Sequence, residues 1–226
     1  MNRLAVFDCD GTLVDSQASI VRAMAETFEA HGLAAPGRPA IRAIIGLSLP
    51  ETMRALVPQA DIALHGSLVE RYRLTFQRHR AEGMVEEPLF DGLAEALERL
   101  EAEGWLLGVA TGKSDRGLRL CLERHGIHAR FVTLQTADRH PSKPHPAMLD
   151  AAMAEAGAAA ATSVMIGDTS FDMMMARAAG TAALGVGWGY HAPEELRDAG
   201  AEAVVQDAAA LLAWIDMRAQ ALSSRA

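Results

Sequence analysis

Residues 4–16 read Leu-Ala-Val-Phe-Asp-Cys-Asp-Gly-Thr-Leu-Val-Asp-Ser, LAVFDCDGTLVDS in one-letter code. Leu4 to Phe7 form an apolar run of strand length that stops at turn residues, the pattern of a short buried strand. At its end Asp8 and Asp10 stand one residue apart, followed by Gly11, Thr12 and a third acid, Asp15. Such a cluster is either a solvated turn or a reaction centre, and the rest of the chain has to choose between them.

From Ser16 to about Gly83 no strand pattern appears. SIVRAMAETFEAHG, AIRAIIG, PETMRALVP and DIALHGSLVERYRLTFQRHRAEG read as helices, punctuated by Gly32, Pro36, Gly46, Pro50 and Pro58. Beyond it, helices and strands alternate: GLAEALERLEAEG, then strand WLLGVAT; DRGLRLCLERHG, then FVTLQT; PAMLDAAMAEAG, then SVMIGD; SFDMMMARAAG, then AALGVGW. Alternation of this kind builds βαβ units and a parallel sheet. The expected fold is α/β, a Rossmann-like parallel sheet core made of residues 1–15 and 84–226, with an all-helical cap domain, residues 16–83, inserted after the first strand. The Ala-rich EAGAAAATS is expected to be a helix end and loop.

Composition removes several function classes. Half of the 226 residues are hydrophobic, yet no apolar run reaches the roughly 20 residues of a membrane span. The strand begins too early for a signal peptide, which points to the cytoplasm. Cys9 and Cys121 are the two cysteines, without Cys-x-x-Cys spacing, so reduced thiols are expected rather than a disulfide or zinc site. A net charge of -8 with no basic block argues against nucleic acid as a partner. A small anionic substrate is compatible, because a metal ion and a few lysines can set the sign of one pocket. Nothing in the pattern chooses between monomer and homodimer.

In a parallel α/β sheet, ligands bind beyond the carboxyl ends of the strands, near the point where strand order reverses. Asp8, Thr111 and Asp168 each follow an apolar run, and the HPSKPHP loop brings Lys143. Singly, each has a mundane reading as a helix cap, a loop or a helix start. Together and in this order they point to one site.

At this point a resemblance can be stated. DCDGTLVDS resembles the first motif of the haloacid dehalogenase superfamily of hydrolases, ATGK the second, SKPHP the third and IGDTSFD the fourth. The likeness spans the whole chain, and LGVGWGY is similar to the phosphoglycolate phosphatase-like branch with a helical cap. It implies a phosphatase acting on a small phosphorylated metabolite, phosphoglycolate-like or a sugar phosphate. A sugar phosphomutase of the β-phosphoglucomutase type would keep all four motifs, and a non-catalytic binding module on the same fold is a further alternative.

The chemistry asked of each residue follows from phosphoryl transfer, which needs an in-line oxygen nucleophile, a cation to gather charge and a proton donor for the leaving oxygen. Asp8 can be the nucleophile, forming an aspartyl-phosphate. Asp10, on the same side of an extended segment, can protonate the leaving group and then activate water. Carboxylates facing a phosphate call for a hard cation such as Mg²⁺, with Asp8, the main-chain carbonyl of Asp10 and Asp168 as ligands. The family pattern places Asp172 beside the metal. Thr111 and the adjoining Gly112, together with Lys143, would hold phosphate oxygens, and Gly11 and Thr12 let the backbone pass close to the anion. Asp10 favours ester hydrolysis over dehalogenation, where the resemblance implies an aromatic residue at that position.

The remaining readings are smaller. Specificity would lie in the cap, where the turn Gly46-Leu47-Ser48 offers Ser48, and where Arg42 and Arg54 are either anion contacts or solvated helix residues. Asp15 and Ser16 are read as caps of the first cap helix. Met173, Met174 and Met175 are read as core filling, Cys9 as packing, Gly185–Gly189 as strand end and loop, and His125, His128, His140, His145 and His191 as loop residues facing solvent or packing.

Overall fold

Residues 2–223 are described by a computed structural model. The strands are β1 (Asn2–Phe7), β2 (Trp105–Thr111), β3 (Phe131–Thr136), β4 (Ala158–Gly167), β5 (Ala182–Val186) and β6 (Ala203–Val205), all parallel, in the order β3-β2-β1-β4-β5-β6. Strand order reverses beside β1, so β1 and β4 flank the switch point.

The sheet is buried on both faces, which is why its strands read as near-continuous apolar runs. Ala5 and Phe7 of β1 join a cluster with Leu97, Leu107 and Ile166 on one face, while Leu4 and Val6 join Met148, Met165 and Met173 on the other. Full burial of each large side chain contributes roughly 1.5–3 kcal/mol against the unfolded chain. The faces are covered by α5 (Leu93–Ala102), α6 (Asp115–Arg124), α7 (Ala147–Ala156), α8 (Ser170–Ala179), α9 (Pro193–Ala199) and α10 (Ala208–Ser223).

Between β1 and α5 lie the helices α1 (Gln17–Glu29), α2 (Arg38–Arg42), α3 (Leu49–Leu56) and α4 (Ile62–Ala81). They share a third apolar cluster, in which Met24, Phe28, Ile41, Met53 and Leu68 are buried. Tyr190, from the segment after β5, is the sheet-side residue in that cluster.

Four readings are corrected. The Ala-rich stretch is strand, not loop: β4 starts at Ala158, where Asn2 pairs with Ala158 before the register jumps to Leu4 with Ser163. Tertiary pairing overrides the low strand propensity of alanine there. The last strand ends at Val186 rather than running to Trp188, and α9, β6 and α10 follow it. The AIRAIIG helix stops at Arg42, and Met174 reaches solvent while Met173 and Met175 are buried. Among the described residues no helix is long and apolar enough to cross a membrane.

Candidate active site

The backbone leaves β1 in a tight turn. The carbonyl of Cys9 accepts from the amides of Thr12, Leu13 and Val14. Gly11 makes the turn possible with φ +84°, and its missing side chain is also where Asp168 lies: a Cβ there would stand 2.1 Å from Asp168 Oδ2. No other residue type satisfies both demands. The turn places Asp8 and Asp10, both buried, at the sheet's carboxyl edge, as the switch-point rule requires.

Three wholly buried carboxylates, Asp8, Asp168 and Asp172, come together there with oxygens within 4.8 Å of one another. Lys143 Nζ lies 2.8 Å from Asp8 Oδ2 and 2.6 Å from Asp172 Oδ1. Asp8 Oδ1 accepts from the Cys9 amide at 2.6 Å. Asp168 accepts from the Thr12 hydroxyl at 2.8 Å and the Tyr190 amide at 2.9 Å, and Asp172 Oδ2 accepts from the amide and hydroxyl of Thr169 at the start of α8.

The electrostatics of this group are unbalanced. Burial pushes the Asp8 carboxyl up to about 7, although Lys143 opposes the shift. Burial, then the charges of Asp8 and Asp172, hold Asp168 well above the carboxylate range. Burial works against the Lys143 ammonium too, but Asp172 and Asp8 outweigh it and keep it charged. One ammonium among three buried carboxylates leaves excess negative charge in low dielectric, which is costly. An all-oxygen donor set at this spacing fits a hard divalent cation.

Asp10 faces a different group. Its Oδ1 accepts from Ser16 Oγ and from Lys113 Nζ, and the same ammonium is 3.0 Å from the buried Glu87. Arg80, from α4, meets Glu87 at 2.9 Å from the other side. Burial raises the Glu87 carboxyl, yet Lys113 and Arg80 together bring it below its ordinary value. Ser16 therefore does not cap α1, and Asp15 instead accepts from the Gln17 amide.

Asp8, Asp10, Thr111, Gly112 and Ser48 line one cavity of about 730 Å³. Gly112 permits its closure, since a Cβ there would sit 2.4 Å from the carbonyl of Leu47. The Thr111 hydroxyl accepts from the Lys113 amide at 3.3 Å and keeps its proton for another partner. The Ser48 amide donates to Ser142 Oγ at 2.8 Å, tying the turn before α3 to the loop that carries Lys143.

Both candidate arginines are used elsewhere. Arg42 donates to the carbonyls of Tyr190 and Gly189, and Arg54 pairs with Glu51 on the surface. The glycine-rich segment after β5 does more than end a strand, for it carries the Tyr190 amide to Asp168. His191 is buried and accepts from the Ser170 amide, His125 bonds the Glu87 carbonyl, and Cys9 packs in the core. Sequence reasoning missed Glu87, Tyr72, Phe76, Arg80 and Tyr190, and gave Lys113 no role although it quoted ATGK. Lys113 and Tyr190 had a signal, their places in ATGK and LGVGWGY; Glu87, Tyr72, Phe76 and Arg80 lie on a helix or loop where only contact distinguishes them.

The chain is similar to known proteins over most of its length. Residues 5–186 match the family model described as haloacid dehalogenase-like hydrolase. The chain is 38% identical over 212 residues to "Probable phosphatase IndB" of Dickeya dadantii, covering 91% of this chain and 90% of that protein. It is 30% identical over 189 residues to a phosphoglycolate phosphatase of Xanthomonas campestris, covering 83% and 84%. A crystal structure of a hydrolase from Pseudomonas syringae superposes with a TM-score of 0.84 at 26% identity, covering 96% of this chain and 99% of that one.

Proposed function

Given that the chain belongs to the haloacid dehalogenase-like hydrolases and is a phosphatase of that family, we propose that it hydrolyses the phosphate monoester of a small metabolite through an aspartyl-phosphate on Asp8. The observation that carries the reading is the Asp8 carboxylate itself. It is buried at the end of β1, held by the Cys9 amide and the Lys143 ammonium, and opens onto the cavity that Asp10 also lines.

The steps follow from what each group can do. Asp8 attacks phosphorus and the ester P–O bond breaks, with Asp10 giving its proton to the departing oxygen. Water then attacks the acyl phosphate, Asp10 takes back a proton, and inorganic phosphate leaves with Asp8 restored. Asp10 Oδ1 is occupied by Ser16 and Lys113, which leaves Oδ2 for the substrate. Lys143 and the Thr111 hydroxyl hold phosphate oxygens, with Gly112 beside them, whereas Gly11 and Thr12 shape the turn: their amides donate to the carbonyls of Val14 and Cys9, and the Thr12 hydroxyl to Asp168. Asp8, Asp168, Asp172 and the Asp10 carbonyl would hold a divalent cation such as Mg²⁺, which supplies compensation for the charge on the transferring phosphoryl group.

Helices α1–α4, within residues 16–83, serve as the cap over the core of residues 1–15 and 84–226. A cytoplasmic location belongs to the same proposal, since the two buried free cysteines suit a reducing compartment.

The test is phosphate release from p-nitrophenyl phosphate by the purified protein with and without Mg²⁺, beside Asp8→Asn. We expect metal-dependent release in the wild type and none in the variant. Wild-type turnover by Asp8→Asn would end the covalent mechanism, and interconversion of sugar phosphates without phosphate release would replace the hydrolase by a mutase.

A further inference from the structure

Resting on the phosphatase reading, we infer that the substrate is the phosphate ester of an uncharged, ring-sized and largely apolar group, and not of a compact acid such as glycolate. The cavity is the first reason. At about 730 Å³ it lies in the range that encloses molecules of several rings' size, whereas a glycolate beyond the phosphate would leave most of it filled with water.

Its lining is the second. The wall opposite Asp8 and Asp10 is made by Ile20 and Met24 of α1, Ile44 and Ile45 before α3, and Tyr72 and Phe76 of α4. The rings of Tyr72 and Phe76 lie 5.8 Å apart at 33°, a paired aromatic surface half open to the cavity. Aromatic faces of this kind reward flat apolar groups with area burial and stacking.

The cations are the third. A carboxylate carried beyond the phosphate calls for a positive charge to face it, and the cations on and beside the wall are already engaged. Arg73 pairs with Glu70 at 2.7 Å, Arg80 with Glu87 at 2.9 Å while lying over the Phe76 ring, and Lys113 with Asp10 and Glu87. Drawing Arg80 or Lys113 away would leave Glu87, fully buried, with one cation in place of two. Among the described residues, Arg116 is the one lining cation without a carboxylate; it is exposed and stands on α6, at the core side of the cavity and away from the apolar wall of α1–α4.

Three alkyl esters of similar leaving group separate the possibilities: ethyl phosphate, 2-phosphoglycolate and 2-phenylethyl phosphate. The wild-type kcat/KM should be at least about tenfold higher for 2-phenylethyl phosphate than for either of the others, the order that burial of one aromatic ring supplies. In Phe76→Ala that ratio should fall toward one. Independently of any variant, 2-phenylethylphosphonate should inhibit the wild type at lower concentration than methylphosphonate by a similar factor. Equal or better use of 2-phosphoglycolate, or equal inhibition by the two phosphonates, overturns the inference while the phosphatase reading stands. Failure to hydrolyse p-nitrophenyl phosphate and all three alkyl esters removes the reading and the inference together.

Discussion

The floor and the wall of the cavity are built on opposite principles. The floor collects charge: Asp8, Asp10 and Lys113 line it, and behind them lie the buried Asp168 after β4, Asp172 on α8, Lys143 on the loop before α7, and Glu87. The wall, from α1 to α4, is apolar and half exposed, and its charged residues are paired off. Buried charge tolerates almost no displacement, because an unpaired ion in low dielectric is expensive. Apolar contact is non-directional and can be rebuilt with other side chains. The floor is therefore suited to fix one reaction, and the wall to vary what is brought to it.

The sharpest way to break this contrast is to alter the floor's proton chemistry. Asp10→Asn should lower turnover of alkyl phosphates by roughly 10²–10⁴-fold and spare the first step with p-nitrophenyl phosphate, whose leaving group needs little protonation. Stopped-flow should show a burst of nitrophenol followed by slow turnover. Equal losses on both esters without a burst would make Asp10 a structural residue of the turn.

Next comes the ionic pairing itself. Lys113→Met leaves Asp10 without its cation and Glu87 with Arg80 alone, and should cost about 3–5 kcal/mol by thermal or denaturant unfolding. Adding Glu87→Gln should restore part of the loss. Phe76→Ala on the half-exposed wall should cost less than Lys113→Met, and a reversed order would erase the distinction between the two regions.

The third test uses pH. The Asp8 carboxyl stands at about 7 in the folded chain against 3.8 unfolded. Between those values the native state binds more protons than the unfolded one, so metal-free stability falls as pH rises from about 4 through about 7. Asp168 shifts in the same direction. A divalent cation binds the ionised form, so Mg²⁺ should raise the melting temperature more at pH 8 than at pH 5, by roughly 5–10 °C at a hundredfold excess over its Kd. A larger effect at pH 5 would contradict the cation site.

The smallest effect belongs to the surface. Arg54→Ala removes an exposed pair with Glu51 and should change stability by no more than about 0.5 kcal/mol, with kcat/KM unchanged. A large loss of activity would return Arg54 to the list of substrate contacts.

The strand LAVF followed by Asp8, the alternation after Gly83 and the helical block between them were legible because each is a local pattern: periodicity, strand length and turn residues. The order of Asp8, Thr111, Lys143 and Asp168 along the chain was legible for the same reason, since the ends of parallel strands meet at one edge whatever lies between. The tertiary structure decided what no local pattern carries. Ser16 turns from a helix cap to a partner of Asp10, and Arg42, which the sequence left between an anion contact and a solvated helix residue, becomes a clasp on the carbonyls of Gly189 and Tyr190. Ala158 becomes strand by pairing with Asn2, and Glu87 becomes part of the floor by meeting Lys113 and Arg80. Each of these depends on a partner distant in sequence, and the energy of a buried charge or hydrogen bond is set by that partner rather than by the residue's neighbours along the chain.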